Sequence, residues 1–165
     1  MTAQQYQSCT DFFNRTKFRR VVLRLTVSIL PLLNVALYVG AIVLLFFTNN
    51  PRLWRFVLVP ACLFVTVTVF RRVINRPRPY DELDYTPFVT PRYGKGESFP
   101  SRHTASACII ALAFGYLQPA FGAVMGVIAV LIGVSRVLAG AHYPKDVLCG
   151  ALVSLLFGIV GFWMI

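Results

Sequence analysis

The sequence predicts an all-α integral membrane protein, one helical bundle of about five spans preceded by an amphipathic segment. Three observations carry this. Of 165 residues, 57% are hydrophobic and only 13% are charged. The charges avoid long stretches: 21–47 holds only Arg24, 104–141 holds only Arg136, and 147–165 holds none. Uncharged apolar runs of about 20 residues are the signature of membrane-spanning helices. The breaks between runs are polar or proline-bearing, as turns at a membrane surface require.

The first twenty residues, "MTAQQYQSCTDFFNRTKFRR", are polar and basic. No small-residue cleavage pattern follows the first apolar run, so the segment does not read as a removable signal. Its part "DFFNRTKFRRVVLRL" mixes aromatics with Arg15, Lys17, Arg19 and Arg20. That composition suits a helix lying in the headgroup layer, or equally a basic flank to the first span. The expected spans are 21–47, 53–70, 103–117, 121–139 and 147–165. Between them lie "TNNPR" (48–52), a polar loop (71–102), "QP" (118–119) and "AGAHYPKD" (139–146). The third span is short for a bilayer, so the end of the polar loop is expected to dip into the membrane. Such a dip is tolerated where protein or a wet cavity receives it. With no internal repeat or low-complexity segment, 1–165 reads as a single domain.

Cys9, Cys62, Cys108 and Cys149 form no CxxC pair and have no histidine at zinc-ligand spacing. Neither disulfides nor a metal site is expected, since free cysteine in an apolar run behaves as a small hydrophobe. The formal charge is +10. A chain mostly dissolved in lipid offers little surface to a nucleic acid duplex, so anionic lipid or phosphate is the expected partner.

Following the chain through the bilayer brings distant residues together. The second span ends at Arg71 on one face, and the loop to Pro100 is too polar to leave it. The third and fourth spans form an antiparallel pair, which returns Arg136, His142 and Asp146 to that same face. A charged residue inside a span costs about 2.5–3.5 kcal/mol, so Arg136 should face a partner or a cavity rather than lipid. Snorkelling to the headgroups is the simpler reading for Arg136, as for Arg71, Arg72, Arg76 and Arg78 at a span end. Convergence of these with Arg102 favours an anion instead, and a tetrahedral phosphate offers oxygens that match forked guanidinium donors.

His103 and His142 are the two histidines of the chain, and both arrive beside the arginines. Asp146 follows His142 by four residues, with Pro144 positioned to start the last helix, where a negative charge is favoured. A helix-like turn there lets Asp146 accept from one ring nitrogen of His142 and leaves the other free as a nucleophile. His103 would serve as general acid to the departing oxygen. The arginines would stabilise charge on the phosphoryl group.

These residues resemble the type 2 phosphatidic acid phosphatase family, which shares its site with vanadium haloperoxidases. The family's three motifs correspond to "RRVINRPRP" (71–79), "PSRH" (100–103) and "SRVLAGAHYPKD" (135–146). The third agrees at every defined position. Arg71 stands where lysine is usual, and Arg102 replaces a glycine whose N–H lines the phosphate pocket. The resemblance implies that His142 forms a phosphohistidine, Asp146 orients it, and His103 protonates the leaving group and later helps activate water. It implies that Arg71, Arg78, Ser101 and Arg136 hold the phosphate, joined by Arg102 if its side chain turns inward, with no metal or other cofactor. The family bundle usually has six helices; with five spans here, one is missing or replaced by the N-terminal segment.

The implied activity is hydrolysis of a membrane lipid phosphate or diphosphate, such as undecaprenyl diphosphate, phosphatidic acid or phosphatidylglycerophosphate. Transfer of the phosphoryl group to an alcohol uses the same site. A non-catalytic binder of anionic lipid would need the arginines but not His142, Asp146 and His103 together. Relatives place this site on the extracytoplasmic face of the cell membrane, and the same is expected here. The positive-inside rule opposes this, because Arg15, Lys17, Arg19 and Arg20 then share that face.

Overall fold

The computed structural model describes residues 1–91 and 96–164. Residues 92–95 of the expected polar loop and the final residue of the fifth expected span lie outside them. Among the described residues the secondary structure is entirely helical. The helices are α1 (Ala3–Asn14), α2 (Lys17–Arg24), α3 (Leu30–Phe47), α4 (Leu53–Ile74), α5 (Pro79–Glu82), α6 (Arg102–Leu117), α7 (Pro119–Leu138) and α8 (Pro144–Ile159). π-helical turns at Leu25–Ile29 and Val160–Met164 join α2 to α3 and extend α8.

Among the described residues, four helical segments are long and apolar enough to cross a membrane: Lys17–Phe47, Leu53–Glu82, Pro119–Leu138 and Pro144–Met164. Helix α6 is the expected third span. Its 16 residues reach about 24 Å at 1.5 Å per residue, short of a hydrocarbon core of about 30 Å. The protein is a multi-pass membrane protein, and its outward residues show it. Leu32, Leu44, Val65, Val69 and Leu156 are exposed on the bundle's outer surface, where lipid replaces the apolar partners they would need in water.

The N-terminal stretch divides differently from its sequence pattern. "DFFNRTKFRRVVLRL" is broken at Arg15–Thr16, because Thr16 takes an extended conformation and its hydroxyl caps Arg19 N at 3.3 Å. Serine and threonine at this position satisfy an orphan N–H and so start helices. The first span therefore begins in the basic flank, at Lys17. Helix α1 folds back separately and buries Tyr6 and Thr10.

Two prolines interrupt spanning helices, and each leaves a backbone carbonyl without its helical donor. In α-helical register Pro31 would serve Val27 O; Arg136 Nη2 donates there instead, at 2.7 Å. Pro60 would likewise serve Phe56 O, which accepts from Tyr38 Oη at 2.8 Å. Hydrocarbon offers no substitute partner, so proline survives in a membrane helix when a neighbour supplies the missing donor.

Helix α6 is the centre of the bundle, packed against α7, α8 and α4. Ala105, Ile109 and Ala113 meet Phe56, Leu63 and Val67 of α4 and Phe162 beyond α8 in one buried cluster. Along α8, residues at spacing four dock on the start of α6. Asp146 O accepts from Ser101 N at 2.9 Å, and Ser154 Oγ donates to Ala105 O at 2.9 Å. Between them Gly150 permits the approach, since a Cβ there would stand 2.8 Å from Ser101 O.

Candidate active site

The site forms where α7 stops and α8 begins. Gly140, at φ +74°, takes the left-handed conformation that glycine adopts at helix C-termini. Gly140 N donates to Val137 O and Ala141 N to Arg136 O, each at 3.0 Å, which closes α7. Tyr85 Oη donates to Gly140 O at 2.7 Å. Pro144 then opens α8, and the carboxylate of Asp146 accepts from Tyr143 N at 3.1 Å. Both a free N–H and the helix dipole favour an anion at this place.

Asp146, at zero exposure, and His142, at 1%, are brought face to face by this turn. His142 Nδ1 lies 3.7 Å from Asp146 Oδ2, an electrostatic contact longer than a hydrogen bond. Ser98 completes the group: its hydroxyl donates to Asp146 Oδ2 at 2.6 Å and stands 3.4 Å from His142 Nδ1. Arg76 Nη1 is 3.6 Å from the other carboxylate oxygen. Burial pushes the His142 imidazole down to about 4; Asp146 opposes that shift, and Arg78 and Arg71 reinforce it. The ring is neutral at ordinary pH, as a nitrogen nucleophile must be.

The arginines gather around a cavity of about 240 Å³ lined by Arg71, Arg78, Arg102, His103, Arg136 and Tyr80, among others. None of its lining residues is acidic. Arg71 Nη1 is anchored on Pro100 O at 2.7 Å, Arg78 Nε on Gly96 O at 3.1 Å, and Arg136 on Val27 O. Arg71 Nε and Arg136 Nε are buried without a partner among the described residues. Guanidiniums that are held by backbone carbonyls and still have free N–H groups have the chemistry and the fixed placement to receive an anion.

Arg102 lies over the Phe64 ring at 5.6 Å and lines both this cavity and a second one beside it. The side chain therefore leans toward α4 while bordering the arginine cluster. Ser101 lies at the start of α6, immediately before Arg102. It is fully buried, its Oγ accepts from Thr104 Oγ1 at 3.0 Å, and it is absent from the cavity lining. Its N–H donates to Asp146 O, which holds the start of α6 against α8. His142 and Asp146 also lie behind the lining, next to Ala141, which is part of it.

Sequence reasoning missed Ser98 and Tyr6. Ser98 sits two residues before the second motif, held by its N–H on Arg76 O at 2.8 Å. Tyr6, fully buried, donates from Oη to His142 O at 3.1 Å and stacks on Tyr85 with ring centroids 5.0 Å apart. Helix α1 therefore covers the site's own face. The one available signal was a tyrosine in the polar first half of α1, apart from Phe12 and Phe13 at its end. A much larger cavity, about 680 Å³ between α6, α7 and α8, has no charged lining residue and lies apart from this chemistry.

Comparison with known proteins decides the family. The model of the PAP2 superfamily matches residues 52–165. The chain belongs to the PAP2 superfamily. Its similarity to the lipid A 1-phosphatase of Rhizobium etli is 38% identity over 100 residues, covering 54% of this chain and 43% of that protein. To the undecaprenyl-diphosphatase BcrC of Bacillus subtilis it is 32% over 90 residues, covering 54% and 46%. The chain thus spans less than half the length of these two curated relatives. The crystal structure of Aquifex aeolicus LpxE superposes with a TM-score of 0.75 at 24% identity, over 97% of this chain and 93% of that one, and so shares its fold. All three PAP2 motifs lie inside the matched residues; Tyr6, Val27 and Asn34 precede them.

Proposed function

We propose that the protein is a membrane lipid phosphatase that acts through a phosphohistidine. The observation that supports this best is the buried His142–Asp146–Ser98 group placed directly behind a cavity walled by arginines and His103. Asp146 and Ser98 address Nδ1 of His142, which leaves Nε2 as the nucleophile. Nε2 attacks phosphorus and forms the P–N bond as the bond to the leaving oxygen breaks. His103, protonated once the bound phosphate dianion offsets the surrounding arginines, donates that proton to the leaving oxygen. Water then attacks phosphorus, His103 takes the proton from the water, and the P–N bond breaks to release phosphate and restore His142. Arg71, Arg78, Arg102 and Arg136 neutralise the equatorial oxygens, where charge spreads in phosphoryl transfer. Ser101 joins the arginines in holding the phosphate, as its place in the second motif implies, and its N–H fixes α6 on α8. A headgroup at the membrane surface reaches these arginines while its chains remain in lipid, with no metal in the reaction and the site on the extracytoplasmic face.

The test is phosphate release by purified protein from phosphatidic acid, phosphatidylglycerophosphate and undecaprenyl diphosphate, with and without chelator. Release from at least one, unchanged by chelator and abolished by H142A, is the expected result. Activity retained in H142A would sink the mechanism, and silence of the native protein on all three would sink the activity.

A further inference from the structure

Beside the arginine cavity lies a second one of about 240 Å³, bordered by Arg102 and His103 on one side and by Asn34, Phe64 and Val35 on the other. Phe64 and Val35 are also exposed on the outer surface of the bundle, so this space extends from His103 toward lipid. Asn34 is out of place in the run "LPLLNVALYVG". It is 2% exposed, and its Oδ1 is buried without a hydrogen-bond partner. A buried amide left unpaired is destabilising, and natural proteins keep such groups where something else completes them.

We propose that Asn34 is a specificity residue for the leaving-group side of the substrate, and that it favours phosphate esters bearing a hydroxyl or amide N–H close to the ester oxygen. The inference rests on the phosphatase reading above. Phosphate in the arginine cavity places the ester oxygen toward His103, and the group bonded to that oxygen continues into the second cavity. Asn34 lines this cavity, and a small turn of its side chain brings the buried, unpartnered Oδ1 to accept from a donor there. A polyol or sugar headgroup supplies one. A leaving group with only esters or hydrocarbon near the phosphate does not, and it leaves the amide unpaired. Sites built around a hydrogen bond reject analogues that lack it more strongly than apolar pockets reject small changes in size.

Two diacyl lipids isolate this difference. Phosphatidylglycerophosphate carries a free hydroxyl on the carbon next to its terminal phosphoester, whereas phosphatidic acid carries only esters there. The measurement is kcat/KM for both lipids with native protein, N34L and N34S in the same detergent. The native protein is expected to favour phosphatidylglycerophosphate. N34L is expected to lose roughly tenfold on that lipid and to change little on phosphatidic acid, which collapses the ratio. N34S, smaller and still polar, reads the same way if N34L does not accumulate. Equal loss on both lipids, or an unchanged ratio in both variants, overturns the assignment. Native activity on phosphatidic acid with none on phosphatidylglycerophosphate also overturns it, whereas silence on both lipids and on undecaprenyl diphosphate counts against the phosphatase reading itself.

Discussion

Ser98 Oγ lies 2.6 Å from Asp146 Oδ2, closer to that oxygen than the ring nitrogen of His142 is. The serine therefore fixes the carboxylate that fixes the histidine. S98A is expected to lower kcat roughly ten- to hundredfold, in line with the loss of a hydrogen bond to a charged group, and to leave KM nearly unchanged. S98T should restore part of the rate. An equal change in KM would assign Ser98 to substrate binding instead.

The acid side of the pH profile follows from His142. Burial holds its folded pKa near 4, below the usual 6.5 of a free histidine. The free enzyme is thus expected to lose no kcat/KM to His142 protonation until the pH approaches 4. The same shift sets a stability change. Between about 6.5 and 4 the unfolded state binds more protons at this position than the folded state does, so stability falls as pH falls through that window. Thermal unfolding in detergent across this range should show the loss, and it should be smaller in H142Q.

Arg136 and Pro31 are expected to be coupled. R136M leaves Val27 O without a donor, a penalty of about 1–3 kcal/mol for a buried polar group. P31A restores an N–H in register to serve that carbonyl. R136M should therefore lower the melting temperature less in the P31A background than in the native one. Additive effects would show that Arg136 has no role in completing the helix.

Gly150 governs the approach of α8 to Ser101. A methyl group there meets Ser101 O at 2.8 Å, and overpacking of this kind costs about 1–3 kcal/mol. G150A should lower both stability and kcat, since small displacements of reacting groups have large effects on rate. Native kcat in G150A would mean that the two helices yield without disturbing His142.

Helix α1 and the site share one face, through Tyr6 and His142. A cysteine placed at exposed Ser8 (S8C in a C9S background) should react with a membrane-impermeant thiol reagent in intact cells if that face is extracytoplasmic. Absence of labelling would put both the N-terminus and the site inside.

Charge distribution made the bundle legible, because uncharged runs of this length have few other uses. The third motif was legible as well: the spacing of Arg136, His142 and Asp146 follows from a helix end, a tight turn and a proline-started helix. The limits were set by contacts that leave no periodic trace. Thr16 ends one helix and begins another through a single hydroxyl bond. Ser101 bonds through its N–H to a residue forty-five positions later, Asp146, a pairing that no local pattern announces. Tyr6 reaches the site only because α1 folds back over the membrane face, and nothing local to α1 encodes that return.

The two prolines carry a consequence for how the bundle assembles. Each turns a purely local defect into a demand on another helix: Val27 waits for Arg136, and Phe56 waits for Tyr38. In hydrocarbon neither carbonyl nor donor has an idle alternative. Sliding or rotating one helix by a single turn would strand both partners at once. Helices that lipid would otherwise let drift are thereby locked in one mutual alignment, and Arg136, which makes one of these locks, is also a wall of the arginine cavity. Correct insertion and a correctly shaped anion site become the same event.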